Sequence, residues 1–275
     1  MARKIIYSKE EIEEMKRLYT EEGISTRELG KRFGGVAKST IGRVLKEAGT
    51  ELNHTNRKYN GDYRKFQKID SPEKAYWLGF IAADGCNYQR EANASVIINI
   101  SAEDKSHLEK FKKFMNTNAE IIDHIQNSGF SNNTLMSKIT LNSKDLSNDL
   151  ADKGIVPKKS LILEPPKIEE KYYLPYILGY FDGDGSIFTT KQDIWGINFE
   201  GTKETLEWIN KLLNVSEKLE KRYENKKNNY YIRCGGTNKP YLILKQLYDS
   251  CDTHLDRKYE KYKALETVVL NRNIK

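Results

Sequence analysis

Along the first fifty residues the apolar positions fall on one helical face at a time. Ile12, Met15, Leu18 and Tyr19 recur at spacings of three and four, behind a Ser8/Glu11 pair with the spacing of a capping box. Gly23 ends that segment, and Ser25 or Thr26 opens a shorter one carrying Leu29 and Phe33. Gly34-Gly35 then turns the chain, and Lys38-Ser39-Thr40 opens a third segment with Ile41, Val44, Leu45 and Ala48 inward, stopped by Gly49. Three short helices with a tight glycine turn before the third predict a helix-turn-helix unit over 1–50. Residues 51–70 lose all periodicity. Arg57, Lys58, Arg64, Lys65 and Lys68 outnumber Glu51, Asp62 and Asp70, with Tyr59, Tyr63 and Phe66 between them, so the stretch reads as a basic linker. It suits an arm tracking a polyanion or a solvated tether equally well.

From residue 71 the chain repeats itself. Ala75-Tyr-Trp-Leu-Gly-Phe-Ile-Ala-Ala-Asp-Gly85 is echoed by Pro175-Tyr-Ile-Leu-Gly-Tyr-Phe-Asp-Gly-Asp-Gly185, with Gly79/Gly179, Asp84/Asp184 and Gly85/Gly185 each 100 residues apart. Ile98-Asn99, running into a helix, is echoed by Ile197-Asn198, and each copy closes on a basic doublet, Lys158-Lys159 and Arg257-Lys258. Three landmarks at nearly one offset mark a duplication, with copies over 71–165 and 166–275. Each copy reads helix, two strands, helix, two strands and a terminal helical piece. The strands are expected near 87–90, 95–101, 120–126 and 136–142, and near 186–190, 194–200, 217–224 and 229–235. The central helices are expected at 104–115 and 203–213. This predicts an α+β pseudo-dimer, αββαββα twice, with one sheet per half.

Composition narrows the function. The chain has 275 residues, 38% hydrophobic and 31% charged, with a formal charge of +7 that favours a polyanionic partner. Its longest near-apolar run, Tyr76 to Ala83, falls far short of the roughly 20 residues that span a bilayer, and no signal-peptide core follows the N-terminus. Cys86, Cys234 and Cys251 lack metal-ligand spacing and read as reduced thiols, so a cytoplasmic, nucleoid-associated location is expected.

Two aspartates carry the chemistry. Gly79, Ala82, Ala83, Gly179 and Gly183 are small residues that let two helices approach closely, so the repeated helices should form the interface between halves. Asp84 and Asp184 then sit together in the last turns, where each helix already presents about half a negative charge. Each is followed by a glycine expected to adopt a left-handed cap. Carboxylates so placed raise each other's pKa or demand a cation. Two or more divalent ions of the Mg²⁺ kind would suit them, and phosphodiester hydrolysis is the chemistry they would support. Asp182, matched by Ala82, is expected to support structure.

The two signature segments, Tyr76–Gly85 and Tyr176–Gly185, resemble those of the LAGLIDADG homing endonucleases in their single-chain, two-motif form. Thr26–Leu45 is similar to the helix-turn-helix of resolvase-like and transposase-like DNA binders, a common fusion in that family. The first resemblance implies a monomeric, site-specific, Mg²⁺-dependent endonuclease acting on both strands of a long double-stranded DNA site. It also implies a basic residue near the active site in each half: Lys105 and Lys203 first, with Lys138, Arg233 and Lys191 as rivals. Outward strand positions would read DNA, namely Asn87, Gln89, Asn99 and Ser101 in one half and Thr189, Lys191, Asn198 and Glu200 in the other. The second resemblance implies DNA contacts at Lys38, Ser39, Thr40 and Arg43, continued by the linker's Arg57 and Lys58. A non-cleaving transcription regulator and an intron RNA maturase remain alternative readings on the same scaffold, and a three-helix unit serving only packing remains open for residues 1–50.

Overall fold

The computed structural model describes residues 7–22, 24–50, 52, 59–90, 93–128, 131–192, 194–222 and 228–273. Gly23, Arg57 and Lys58 lie outside the described residues. The chain divides into two compact units, Met1–Lys58 and Tyr59–Lys275.

In the first unit, α1 (Lys9–Thr20), α2 (Thr26–Arg32) and α3 (Lys38–Glu47) enclose Met15, Leu18, Tyr19, Leu29, Ile41 and Leu45. The capping box forms in full: Glu11 N donates to Ser8 Oγ and Ser8 N donates to the Glu11 carboxylate. Ser25, not Thr26, caps α2. Gly34 and Gly35 hold φ of +92° and +67°, which only glycine adopts without strain. They fold α3 back so closely that a Cβ on Gly30 would lie 2.3 Å from the Val36 carbonyl oxygen. Lys38, Ser39 and Arg43 are exposed on α3 and Thr40 is half-buried.

The second unit repeats one pattern. Its first half runs α4 (Pro72–Asp84), β1 (Gly85–Gln89), β2 (Ala94–Ser101), α5 (Lys105–Phe114), β3 (Ile121–Ser128), β4 (Ser131–Asn142) and α6 (Lys144–Asp152). Its second half runs α7 (Tyr173–Asp184), β5 (Gly185–Thr189), β6 (Trp195–Gly201), α8 (Lys203–Leu213), β7 (Glu220–Lys221), β8 (Tyr230–Gly235), α9 (Asn238–Tyr248) and α10 (Asp256–Asn273). Two antiparallel four-stranded sheets result, ordered β1-β2-β4-β3 and β5-β6-β8-β7, so the duplicated αββαββα architecture holds. Strict alternation on β2, with Val96, Ile98 and Ile100 buried, turns one face of the sheet to the core and leaves the other outward. Among the described residues no helix is long and apolar enough to cross a membrane.

Two expectations need correction. The linker does not extend to residue 70: Tyr63, Phe66 and Ile69 are buried in the second unit, and Phe66 meets Phe114 edge-on at 5.7 Å. Asp62 N donates to Met115 O at 2.8 Å, tying this stretch to the end of α5. Without a regular period its three apolar anchors do not stand out in sequence, yet burial makes the segment structural. Nor are Gly85 and Gly185 left-handed caps. Their φ values are −83° and −92°, extended, because each begins a strand. Glycine is needed there for space: a Cβ would fall 2.6 Å from Ile81 O and 2.5 Å from Phe181 O respectively.

The centre of the unit is α4 against α7. Every residue from Ala75 to Ala82 and from Pro175 to Asp182 is buried, as expected of helices covered on all sides. A Cβ on Gly79 would lie 1.9 Å from Tyr176 O, and one on Gly179 would lie 1.9 Å from Tyr76 O. The reciprocity is that of a two-fold axis. The obstructing atoms are backbone and cannot swing aside, so Gly79→Ala or Gly179→Ala should cost about 3 kcal/mol or more. Chemical denaturation of the two variants measures this, and a loss under about 0.5 kcal/mol would show that the helices can separate freely.

Candidate active site

The close crossing brings the C-terminal ends of α4 and α7 side by side. A Cβ on Gly183 would lie 2.3 Å from Ala83 Cβ and 3.4 Å from the Asp84 carboxyl carbon. Asp84 is half-buried, while Asp184 opens on solvent through a cavity of about 190 Å³ that Lys159, Tyr180, Glu200, Thr202 and Asn229 also line. Burial, reinforced by the charge of Asp184, pushes the Asp84 carboxyl up to about 7. Desolvation also raises Asp184, against the pull of Lys159 and Lys258.

Those two lysines are the chief charges facing the carboxylates. Lys159 stands in a 3-10 turn (Lys159–Leu161) and its Nζ donates to Ala83 O at 3.0 Å. Lys258 lies in the first turn of α10, with Nζ donating to Phe181 O (2.7 Å), Asp182 O (2.6 Å), Gly185 O (2.6 Å) and, more weakly, Gly183 O (3.3 Å). Each ammonium therefore closes the carbonyl end of its own motif helix, where orphan acceptors and negative potential concentrate. Both are buried, and desolvation lowers both, Lys258 to about 8, with the aspartates opposing the fall. The coupling crosses between halves: the stronger lysine for Asp84 is Lys258, and for Asp184 it is Lys159.

Sequence reasoning missed this pair. The repeated doublets were visible, but as landmarks of duplication, since nothing local says that a lysine 75 residues beyond Asp84, or 74 beyond Asp184, returns to its helix end. The lysines expected in their place stand elsewhere. Lys105 pairs with Asp123 at 2.7 Å and Lys203 with Glu207 at 3.7 Å. Lys138 projects from β4 opposite Asn99, and the Arg233 guanidinium lies 5.0 Å over the Phe188 ring. Lys191 is exposed in the turn after β5. None of the five is among the charges shifting Asp84 or Asp184. Asp182 is structural as expected: it is buried and accepts from Tyr76 OH at 2.6 Å and Leu255 N at 2.7 Å.

The strand positions sort by pleat. Asn99 and Ser101 are on the outward face of β2, and Glu200 is on that of β6, ion-paired with Arg222; Asn198 shares the parity of Glu200 but is buried, so it is not the exposed position expected. Asn87 is not outward. It is buried, donating to Ser147 O (3.0 Å) and Ile155 O (2.7 Å), and Gln89 on the same side donates to Ser147 Oγ at 2.7 Å. Gly85 and Asn87 take the buried side of β1, so its outward residues are Cys86 and Tyr88. Thr189 likewise shares the parity of buried Ile187, while Ser186 and Phe188 take the outward side of β5.

No family model and no curated protein matches the chain. Solved structures do. The meganuclease I-SmaMI bound to uncleaveable DNA with a TTGT central four is 14% identical, with 75% of this chain and 91% of that one covered at a TM-score of 0.50. The I-LtrWI LAGLIDADG homing endonuclease bound to target DNA is 12% identical, covering 76% and 92% at 0.49. At such identity the likeness concerns fold, and the first carries it: the chain has the two-motif LAGLIDADG homing-endonuclease fold.

The raised carboxyl predicts a pH effect. Between about pH 4 and 7 folded Asp84 keeps a proton that the unfolded chain has released, so the folded state binds more protons and stability falls as pH rises through that window. Asp84→Asn removes this contribution. In metal-free melts the Tm of the variant should gain on wild type from pH 4 to 7, by roughly 3 °C per kcal/mol of ionisation cost removed. Parallel curves would mean that the fold does not raise the Asp84 carboxyl.

Proposed function

We propose that this chain is a site-specific DNA endonuclease that hydrolyses phosphodiester bonds in both strands of a long, asymmetric duplex with the help of Mg²⁺. The carrying observation is the pair of carboxylates at adjoining helix ends, flanked by two buried lysines. That the structural neighbours are named as homing endonucleases and carry DNA supports the same reading. Both halves lie in one chain, so a monomer holds a complete site.

The donor set fits the metal. Asp84 and Asp184 offer only oxygens, the donors a hard cation prefers. Two carboxylates suit one that keeps several waters and completes its shell with phosphate. When bound, Mg²⁺ supplies charge neutralisation and lowers the pKa of coordinated water. The protein's own part is to hold two carboxylates ready to ionise and to aim two ammonium charges at the site. There Lys159 and Lys258 offset the negative charge that builds on phosphorus-bound oxygen as the bond breaks. Outward, half-buried residues such as Asn99, Ser101 and Lys138 supply polar contacts along a groove, while Lys38, Ser39, Thr40 and Arg43 on α3 give the first unit a second DNA contact.

Purified protein with Mg²⁺ and a randomised duplex library should leave defined double-strand breaks. Asp184→Asn should abolish them while affinity stays within about tenfold, or 1.4 kcal/mol. Binding without cleavage by the wild type would favour the regulator or maturase. The lysines can be ranked on the recovered site: Lys159→Met and Lys258→Met should each slow cutting about 100-fold, Lys105→Met and Lys203→Met less than about threefold. The reverse order would restore the sequence-based assignment. Lys38→Ala with Arg43→Ala should flatten the salt dependence of binding by up to about two phosphate contacts, and an unchanged slope would remove α3 from the DNA.

A further inference from the structure

The two buried lysines are held in very different ways. Lys159 makes one hydrogen bond among the described residues, to Ala83 O, whereas Lys258 spends its donors on four carbonyls. Behind Lys258 lies a polar network that its counterpart lacks. Asp182 Oδ2 accepts from Tyr76 OH and from the amide of Leu255, the residue immediately before α10. Leu255 O in turn accepts the amides of Lys258 (3.1 Å) and Tyr259 (3.0 Å), so one carboxylate oxygen sets where α10 begins. Since Tyr76 gives its proton to Asp182, His107 Nε2 donates to the phenol oxygen at 3.0 Å. The first half grips the same turn from outside: Arg257 forks onto Asp104 at 3.1 and 2.8 Å, and Lys110 Nζ meets Asp256 (2.5 Å) and His254 O (3.0 Å).

In the opposite half Ala82 stands where Asp182 does, and around Lys159 hydroxyls replace charges. Thr202 and Thr205, reaching across from the second half, both donate to Leu163 O, near the turn that carries Lys159. The duplication has thus kept the lysine twice and the carboxylate brace once.

We propose that Asp182 is a positioning residue for Lys258, acting through the start of α10, so that the two strands of the target are served by unequally held lysines and depend unequally on Asp182. This rests on the endonuclease reading. A carboxylate needed only for stability would affect both cuts together. A brace for one lysine affects chiefly one, because each lysine closes the end of a different motif helix.

The test is strand-resolved. A duplex carrying the site recovered from the library, with a different label on each strand, is cut under single-turnover conditions by wild type, Asp182→Asn and Tyr76→Phe. Asparagine keeps an acceptor for the Leu255 amide, and phenylalanine keeps the ring. Asp182→Asn should slow one strand about tenfold more than the other, and Tyr76→Phe should bias the same strand less strongly, with affinity for the uncut duplex nearly unchanged. Amide hydrogen exchange of the DNA-free proteins reads the brace without activity. Residues 255–259 should exchange faster in both variants, while residues 159–163 stay as in wild type. Equal slowing of both strands, or unchanged exchange at 255–259, overturns the proposal. Faster exchange at 255–259 with a wild type that cuts neither strand overturns the endonuclease reading, and the strand claim with it, while leaving the brace in place.

Discussion

Two glycines, each lying beneath a carbonyl of the opposite helix, set the distance on which the second unit depends. At that separation no side chain fits between α4 and α7, so the helices meet backbone to backbone and their C-terminal ends emerge together. Everything unusual about the centre follows. Two carboxylates arrive where two helix dipoles already concentrate negative potential. Each helix turns directly into a strand over its own last turn, which is why Gly85 and Gly185 cannot bear a Cβ. An interface of larger residues would have spread the ends apart and left Asp84 and Asp184 as ordinary solvated caps.

The lysines answer that concentration of negative charge. Burying an ammonium costs several kcal/mol unless its donors and its charge are both matched, and here both are: helix carbonyls take the hydrogen bonds and the aspartates supply the countercharge. The arrangement is tense in a particular sense. Each carboxylate is held above its ordinary pKa although two cations stand near, so desolvation, joined at Asp84 by the charge of Asp184, outweighs attraction.

Much of this was readable from the chain. The duplication, both sheets, the paired helices and both aspartates followed from a repeat whose small residues and acids recur at fixed intervals, and helix 203–213 matches α8 to the residue. What escaped depends on long-range return or on a single step of pleat. Lys159 and Lys258 reach the helix ends only through the fold, and as isolated residues they look like any surface lysine. Asn87 alternates correctly, but its phase is inward, and a period of two carries no information about which phase faces the core. Tyr63, Phe66 and Ile69 anchor a stretch with no period at all.

The same register explains why the halves cannot meet identical chemistry. Gly85 pairs with Ile98, yet Gly185 pairs with Phe199. Asn99 is therefore one residue beyond the position opposite its glycine, and the repeat-related Asn198 is one residue before it. Both keep the outward parity, since a displacement of two preserves the face, but they stand about 7 Å apart in depth along their strands. Level with Asn99 the first sheet offers Lys138. The second half offers Glu200 beside Tyr231 at the corresponding level. A cation-bearing face and a carboxylate-bearing face at equal distance from the pseudo-two-fold axis are not complementary to one palindromic surface. The axis survives in the glycines and aspartates, where geometry tolerates no change, and is lost a few residues outward. Divergence in the sheets, like the single brace at Asp182, thus marks this duplicated protein as two unlike halves sharing one symmetric centre.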